Sequence, residues 1–278
     1  MSFKTVFLAV GAEQDDSELD RAVAICGELG AHLSVLVLGI APPPPASPYG
    51  VVSNDIWAGE IREGQAGAAA RAEAVAARLA GSGLSVGVES QYIDRGTVAT
   101  LAARFARYAD LTLITPQATG FELMQTWVMN GALFESGRPV LLLPRGAVSF
   151  PKSRTVMIAW DASVEASKAV RDAIGLMQAA DAVHAVLVDP VPSFEGHGPE
   201  PGADLATYLA RHGIKPTVHR LPREGRETGD MLRRTATDLG AELIVMGGFG
   251  HSRLRQRIFG GTTTSMMKDT PVPVLMAH

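Results

Sequence analysis

Short runs of Val, Ile and Leu recur along the chain without polar alternation, separated by longer stretches of helical period. In the second half, runs at 155–160, 182–188, 217–220, 243–246 and 272–276 predict strands. Helical periodicity falls at 164–178, 202–212, 229–239 and 262–268. The first half repeats the rhythm, with strands predicted at 5–10, 33–38, 87–92, 111–115 and 140–143. Runs that are apolar at every position suit strands buried on both faces, and so a parallel sheet covered by helices.

The two halves are copies of one unit. KTVFLAV from Lys4 returns as RTVMIAW from Arg154, and ADLTLITP from Ala109 returns as AELIVMGG from Ala241. RPVLLLP from Arg138 returns as VPVLMAH from Val272. Three matches in the same order identify an internal repeat. The expected architecture is therefore α/β, with two doubly wound domains at 1–148 and 149–278. The boundary falls in PRGAVSFPKS, where Pro and Gly break the pattern. The proline run APPPPASP, starting at Ala41, lies inside the first repeat and reads as a stiff surface excursion.

Composition narrows the function. The 278 residues are 46% hydrophobic and 19% charged, with a net charge of −4. That is a globular chain without the basic stripe that nucleic acid or an anionic membrane would call for. No apolar stretch reaches the ~18 residues of a membrane helix, so a cytoplasmic protein is expected. The single cysteine, Cys26, lies in an apolar helical pattern and reads as core. His184, within an apolar strand, reads as a core histidine with a satisfied ring.

In doubly wound sheets, ligands sit beyond the C-terminal strand ends where the strand order reverses. There the second half carries Trp160 and Asp161 after its first strand and Val188 at the end of its second. After its fourth comes MGGFGHSRLRQRIFGGTTTS, from Met246. Glycines let backbone N–H groups approach an anion, and the threonines open a helix whose free N–H groups carry partial positive charge. Arg253, Arg255 and Arg257 add local charge. His251 reads as a loop donor rather than a catalytic base, because no acidic partner lies near it. Asp161 is equally suited to cap the following helix or to bind a ligand. The chain has no GxxxxGK[ST], no G-x-S-x-G and no CxxC.

These residues resemble the universal stress protein family in its tandem form. That family carries G-x-x-G, nine residues, then G-[ST]; here Gly247-x-x-Gly250 is followed by nine residues and Gly260. The resemblance implies a five-stranded parallel sheet of order 3-2-1-4-5 in each domain. It implies ATP or AMP, with or without Mg, held in the second domain by Trp160, Asp161, Val188, Met246, Gly247, Gly250, His251, Gly260, Gly261, Thr262 and Thr263. Asp161 would face ribose or adenine, the Val188 backbone the adenine edge, and the glycines and Thr263 the phosphates. It further implies pairing of the domains through their last strands as a pseudo-dimer, or between chains as a homodimer.

Two positions depart from the family. Gly261 stands where a Ser or Thr is usual, which removes a hydroxyl donor. Trp160 stands where a smaller residue is usual, so its ring either stacks on a base or fills the slot. The first half departs further, with no acid in register after its first strand, Asp15 and Asp16 coming later, and no G-x-x-G after its fourth. Its expected role is structural and without a cofactor. The expectation is a stress-response nucleotide-binding module with at most weak ATPase activity. A ligand-free scaffold and a slow ATP-hydrolysing or adenylating enzyme are the alternatives.

Overall fold

The computed structural model describes residues 3–43, 54–115, 122–147, 149–194, 196–249 and 261–278. The chain divides into two compact units, Phe3–Leu113 with Gln117–Ser136, and Ile114–Pro116 with Gly137–His278.

The first unit runs β1 (Thr5–Gly11), α1 (Ser17–Leu29), β2 (His32–Ala41), α2 (Asn54–Leu79), β3 (Val86–Asp94), α3 (Val98–Arg107), β4 (Leu111–Ile114) and α4 (Glu122–Glu135). The strands lie in the order β3-β2-β1-β4, and each pair is parallel. Parallel neighbours need helical crossovers, which the helices supply. Val6 to Val10 of β1 are buried at every position, so the strand is covered on both faces. α1 stops at Gly30, whose left-handed φ of 59° lets its N–H return to the last carbonyls. Two glycines mark close approaches rather than flexibility. A Cβ on Gly64 of α2 would lie 2.2 Å from the Tyr92 ring, and one on Gly131 of α4 would lie 1.9 Å from the Ala99 carbonyl oxygen of α3.

The second unit begins with β5 (Val140–Leu142). It continues with β6 (Thr155–Ala159), α5 (Val164–Asp172), α6 (Ile174–Gln178), β7 (Ala182–Val188), α7 (Ala203–Arg211) and β8 (Thr217–Leu221). It ends with α8 (Thr228–Asp238), β9 (Leu243–Gly247), α9 (Gly261–Lys268) and β10 (Val274–Ala277). The five strands of the second repeat are parallel in the order β8-β7-β6-β9-β10, the expected 3-2-1-4-5. β5 extends this sheet by pairing antiparallel with β10, Leu141 opposite Leu275. Within this unit the Leu143 N–H donates to the Ile114 carbonyl at 2.9 Å. Each half thus follows the order 3-2-1-4-5.

The structure departs from the sequence reading at several element boundaries, among them β2, which runs His32–Ala41 rather than 33–38. The helix expected at 164–178 is two, because Ala173 leaves helical geometry (φ −96°, ψ −1°) and Gly175 follows as a weak helix former. β10 starts at Val274, not 272, since Pro273 has no N–H for a ladder; its carbonyl still accepts from Ile244. β9 runs one residue further than expected, into Gly247. Among the described residues, no helix is long and apolar enough to cross a membrane. Most of the proline run lies outside the described residues.

Candidate functional site

Ala159, the last residue of β6, lies opposite Val186 of β7 and Met246 of β9. Trp160 and Asp161 therefore leave the sheet between the end of β7, at Val188, and the end of β9, at Gly247. This is where strand order reverses in the second half. The Trp160 N–H donates to the Val186 carbonyl at 2.9 Å, so the half-buried Trp160 still follows the β6 ladder. Five expected site residues thus meet at one strand edge.

Asp161 is exposed and its Oδ1 accepts the Ser163 N–H at 3.0 Å. Between them Ala162 takes a left-handed φ of 60°. Ser163 is the N-cap of α5, its hydroxyl accepting the Ala166 N–H at 3.1 Å. The cap expected at Asp161 is therefore corrected to Ser163, whose extended backbone (φ −73°, ψ 161°) suits the N-cap position. Asp161 instead forms the turn that delivers the chain to that cap.

Gly247 has a packing reason to be glycine. A Cβ there would stand 2.5 Å from the Ala166 backbone nitrogen and 2.9 Å from the Glu165 carbonyl carbon. The first turn of α5 thus rests directly on the end of β9. Beyond Gly247 the backbone is tied on several sides. The Gly248 N–H donates to the Ala277 carbonyl at 2.9 Å, and the Gly248 carbonyl lies 2.9 Å from His278 Nδ1. Phe249 is buried with a φ of 62°, and its N–H donates to Thr263 Oγ1 at 3.2 Å. The N–H groups of Gly248 and Phe249 therefore brace the loop.

α9 opens with the exposed Gly261, then the half-buried Thr262 and the buried Thr263. Among the described residues, nothing lies within 4 Å of where a Gly261 Cβ would stand. The Thr264 hydroxyl is buried and has no hydrogen-bond partner among the described residues. Gly250, His251 and Gly260, with Arg253, Arg255 and Arg257, lie outside the described residues. Three further groups at this edge escaped the sequence reading: Ser163, Glu165 and His278. Glu165 Oε1 lies 3.9 Å from His278 Nδ1. The only signal for His278 in the sequence was its place one residue past the strand that pairs with β9.

The first half is built differently at the same place. The Gly11 N–H at the end of β1 donates to Gln14 Oε1 at 2.9 Å, and Gln14 is buried. Gln125 of α4, also buried, directs its amide to the Ala9 carbonyl at 3.5 Å. Arg71 of α2 bonds the Gln14 carbonyl and Asp16, bracing this loop from a third element. Amide side chains of the chain itself thus satisfy the end of β1.

Elsewhere, half-buried His184 hydrogen-bonds His219 across β7 and β8 at 3.0 Å, so it is a satisfied histidine whose partner is a second imidazole. Desolvation, then the neighbouring His219, holds its pKa below the ordinary histidine value. Cys26 is buried, and desolvation raises its thiol to about 11. Among the described residues, no group of three or more His, Cys, Asp or Glu could hold a metal ion.

Residues 152–278 match the model of the universal stress protein family. That match covers the second half of the chain. Its sequence is 30% identical over 142 residues to universal stress protein Slr1230 of Synechocystis, a match covering 50% of this chain. The chain spans about half the length of that relative, 46%. Its fold is similar over 99% of its length to a universal stress protein from Archaeoglobus fulgidus, with TM-score 0.68, 18% identity and 96% of that chain covered. A second similar fold is a universal stress protein from Pseudomonas aeruginosa, with TM-score 0.60, 18% identity and 92% of that chain covered. Both halves therefore carry the universal stress protein fold.

Proposed function

We propose that this universal stress protein is a regulatory module that binds one adenine nucleotide, ATP or AMP, in its second half. The observation that carries this reading is the meeting of Asp161, Val188, Gly247 and the start of α9 at one strand-order reversal, with the Phe249–Thr263 hydrogen bond joining β9 to that helix. The start of α9, where no described residue lies within 4 Å of a Gly261 Cβ, supports the reading of an anion held by helix-start N–H groups. Gly261, Thr262 and Thr263 would hold the phosphates together with Gly250 and Gly260. Asp161 would accept from ribose or base, and Val188 would offer backbone to the adenine edge. Any Mg would arrive with the phosphates.

The first half serves as a structural partner, its β1 end satisfied by Gln14 and Gln125. The antiparallel β5–β10 ladder supports the reading that the halves act as an internal pseudo-dimer; a homodimer would add a second such association. The protein is cytoplasmic on this reading, with no nucleic-acid or membrane partner, and any ATP hydrolysis is slow and incidental.

The test is to denature the purified chain and analyse the released small molecules by mass spectrometry, alongside thermal unfolding at millimolar ATP. Released adenine nucleotide or a clear thermal shift is expected. Neither result would leave the ligand-free scaffold, with Trp160 filling the slot.

A further inference from the structure

We infer that the ends of β7 and β8 form a self-association surface, on which Phe194 of one copy of the chain enters a proline-lined socket of a second copy and receives that copy's Phe194 in return. Among the described residues Phe194 is the most exposed large hydrophobic side chain, at 103%, and Val191 near it is 69% exposed. Single exposed hydrophobics need no explanation, but these two adjoin a cavity. Pro190, Pro192, Pro199, Pro201 and Pro222 line that cavity, of about 370 Å³, beyond β7 and β8. The volume lies at the low end of what a small ligand occupies and suits one aromatic side chain.

Knob and socket are both held in shape before a partner arrives. The Asp189 N–H donates to the Leu221 carbonyl at 2.7 Å, tying together the two strand ends that wall the socket. Arg220 Nε donates to the Pro201 carbonyl at 2.9 Å, and its guanidinium also pairs with Glu200. Prolines have a fixed φ and little freedom to lose, so docking against them costs little ordering. Just before Phe194, the Ser193 carbonyl accepts the Gly198 N–H at 2.9 Å.

The occupant that fits is the chain itself. Phe194 stands two residues beyond Pro192 of the socket, and a two-fold contact needs such a knob and socket side by side. The rim carries charges of both signs, Asp189 and Glu200 beside Arg220. A two-fold partner can set base against acid there, where a wholly acidic or basic partner would meet like charge. An aromatic side chain buries about 150–250 Å². Two knobs and the walls they cover thus bury roughly 800 Å² in total, which places the dimer in the weak, concentration-dependent class. β8 is the outer strand of its sheet, so this surface is separate from the β5–β10 ladder.

The experiment is sedimentation velocity of the full chain over a concentration series reaching about 500 μM. It compares the native protein, Phe194→Ser, Pro199→Trp and an equimolar mixture of the two variants. Phe194→Ser removes the knob and keeps the socket, whereas Pro199→Trp fills the socket and keeps the knob. The native chain is expected to dimerise with a Kd on the order of tens of micromolar. Each variant alone loses both contacts and should associate at least about tenfold more weakly. The mixture keeps one knob–socket contact, so the mixed dimer should be tighter than either variant's own. Thermal unfolding of Phe194→Ser should match the native chain, which separates lost contact from lost fold. A native chain that stays monomeric throughout overturns the inference, as does Phe194→Ser dimerising like the native chain. A mixture no tighter than its components overturns the reciprocal fit. A monomeric native chain whose socket resonances shift on adding N-acetylphenylalaninamide would give the socket to an aromatic side chain of another protein, and would overturn the second copy as occupant.

Discussion

The Phe249 N–H donates to the Thr263 hydroxyl at 3.2 Å, joining the end of β9 to the first turn of α9. Both residues are buried, so this short bridge anchors the exit and the return of the loop between them. The hydroxyl that the family resemblance assigns to phosphate thus already accepts a backbone N–H. Among the described residues no acceptor for its own proton is recorded, and a hydroxyl that accepts can also donate.

Thr263→Val keeps the shape of the side chain and leaves the Phe249 N–H without its acceptor. The expected cost is about 1–3 kcal/mol of stability, the penalty for a buried unsatisfied donor. Thr263→Ser restores the oxygen and should recover most of it. Urea unfolding of the two variants makes the comparison; equal midpoints would remove the bridge from the account.

Gly247 and Gly261 should respond oppositely to gaining a side chain. Gly247→Ala drives a methyl into the Ala166 backbone nitrogen, 2.5 Å away, and overpacking of this kind costs about 1–3 kcal/mol. Gly261→Ser meets nothing within 4 Å and should leave stability unchanged or slightly raised. It also returns a hydroxyl to the start of α9, with ATP affinity gaining by about 1 kcal/mol. Calorimetric titration and denaturant unfolding of both variants check the pair.

The His184–His219 contact makes stability depend on pH in a defined direction. Burial, then His219, lowers the His184 pKa, so the unfolded chain binds that proton more readily than the folded one. The contribution is fully present above the unfolded value near 6.5 and is lost as pH falls below it. The urea midpoint should drop between pH 7.5 and 5.5, and His184→Gln should shallow that drop. An unchanged slope in the variant would assign the pH response elsewhere.

Cys26 is buried, with its thiol raised to about 11, so little thiolate exists at neutral pH and reagents cannot reach it. An aromatic disulfide reagent should label it only as the chain unfolds, with the labelling and unfolding curves coinciding. Fast labelling of the folded protein would contradict its buried place on α1.

Much of the fold was legible because parallel strands buried on both faces write themselves as unbroken apolar runs, and because the chain writes the unit twice. Runs beginning at Thr5 and Thr155 each name the central strand of their half. The strand edge that gathers Trp160, Asp161, Val188 and Gly247 follows from those runs and the glycine spacing. What was not legible depends on three-dimensional neighbours. Ser163 replaces Asp161 as the cap because Ala162 turns with positive φ, which no local pattern announces. His278 meets Gly248 only because β10 lies beside β9. The Gly247 contact with Ala166 gives a glycine assigned to phosphate a second reason to be there. No periodicity announces that β5 pairs with β10.

The most direct test of the central claim is calorimetric titration of the full chain with ATP, repeated on Gly250→Val. The account predicts one site per chain in the native protein and none in the variant. A native chain that takes up no ATP, or a site that survives Gly250→Val unchanged, would contradict it.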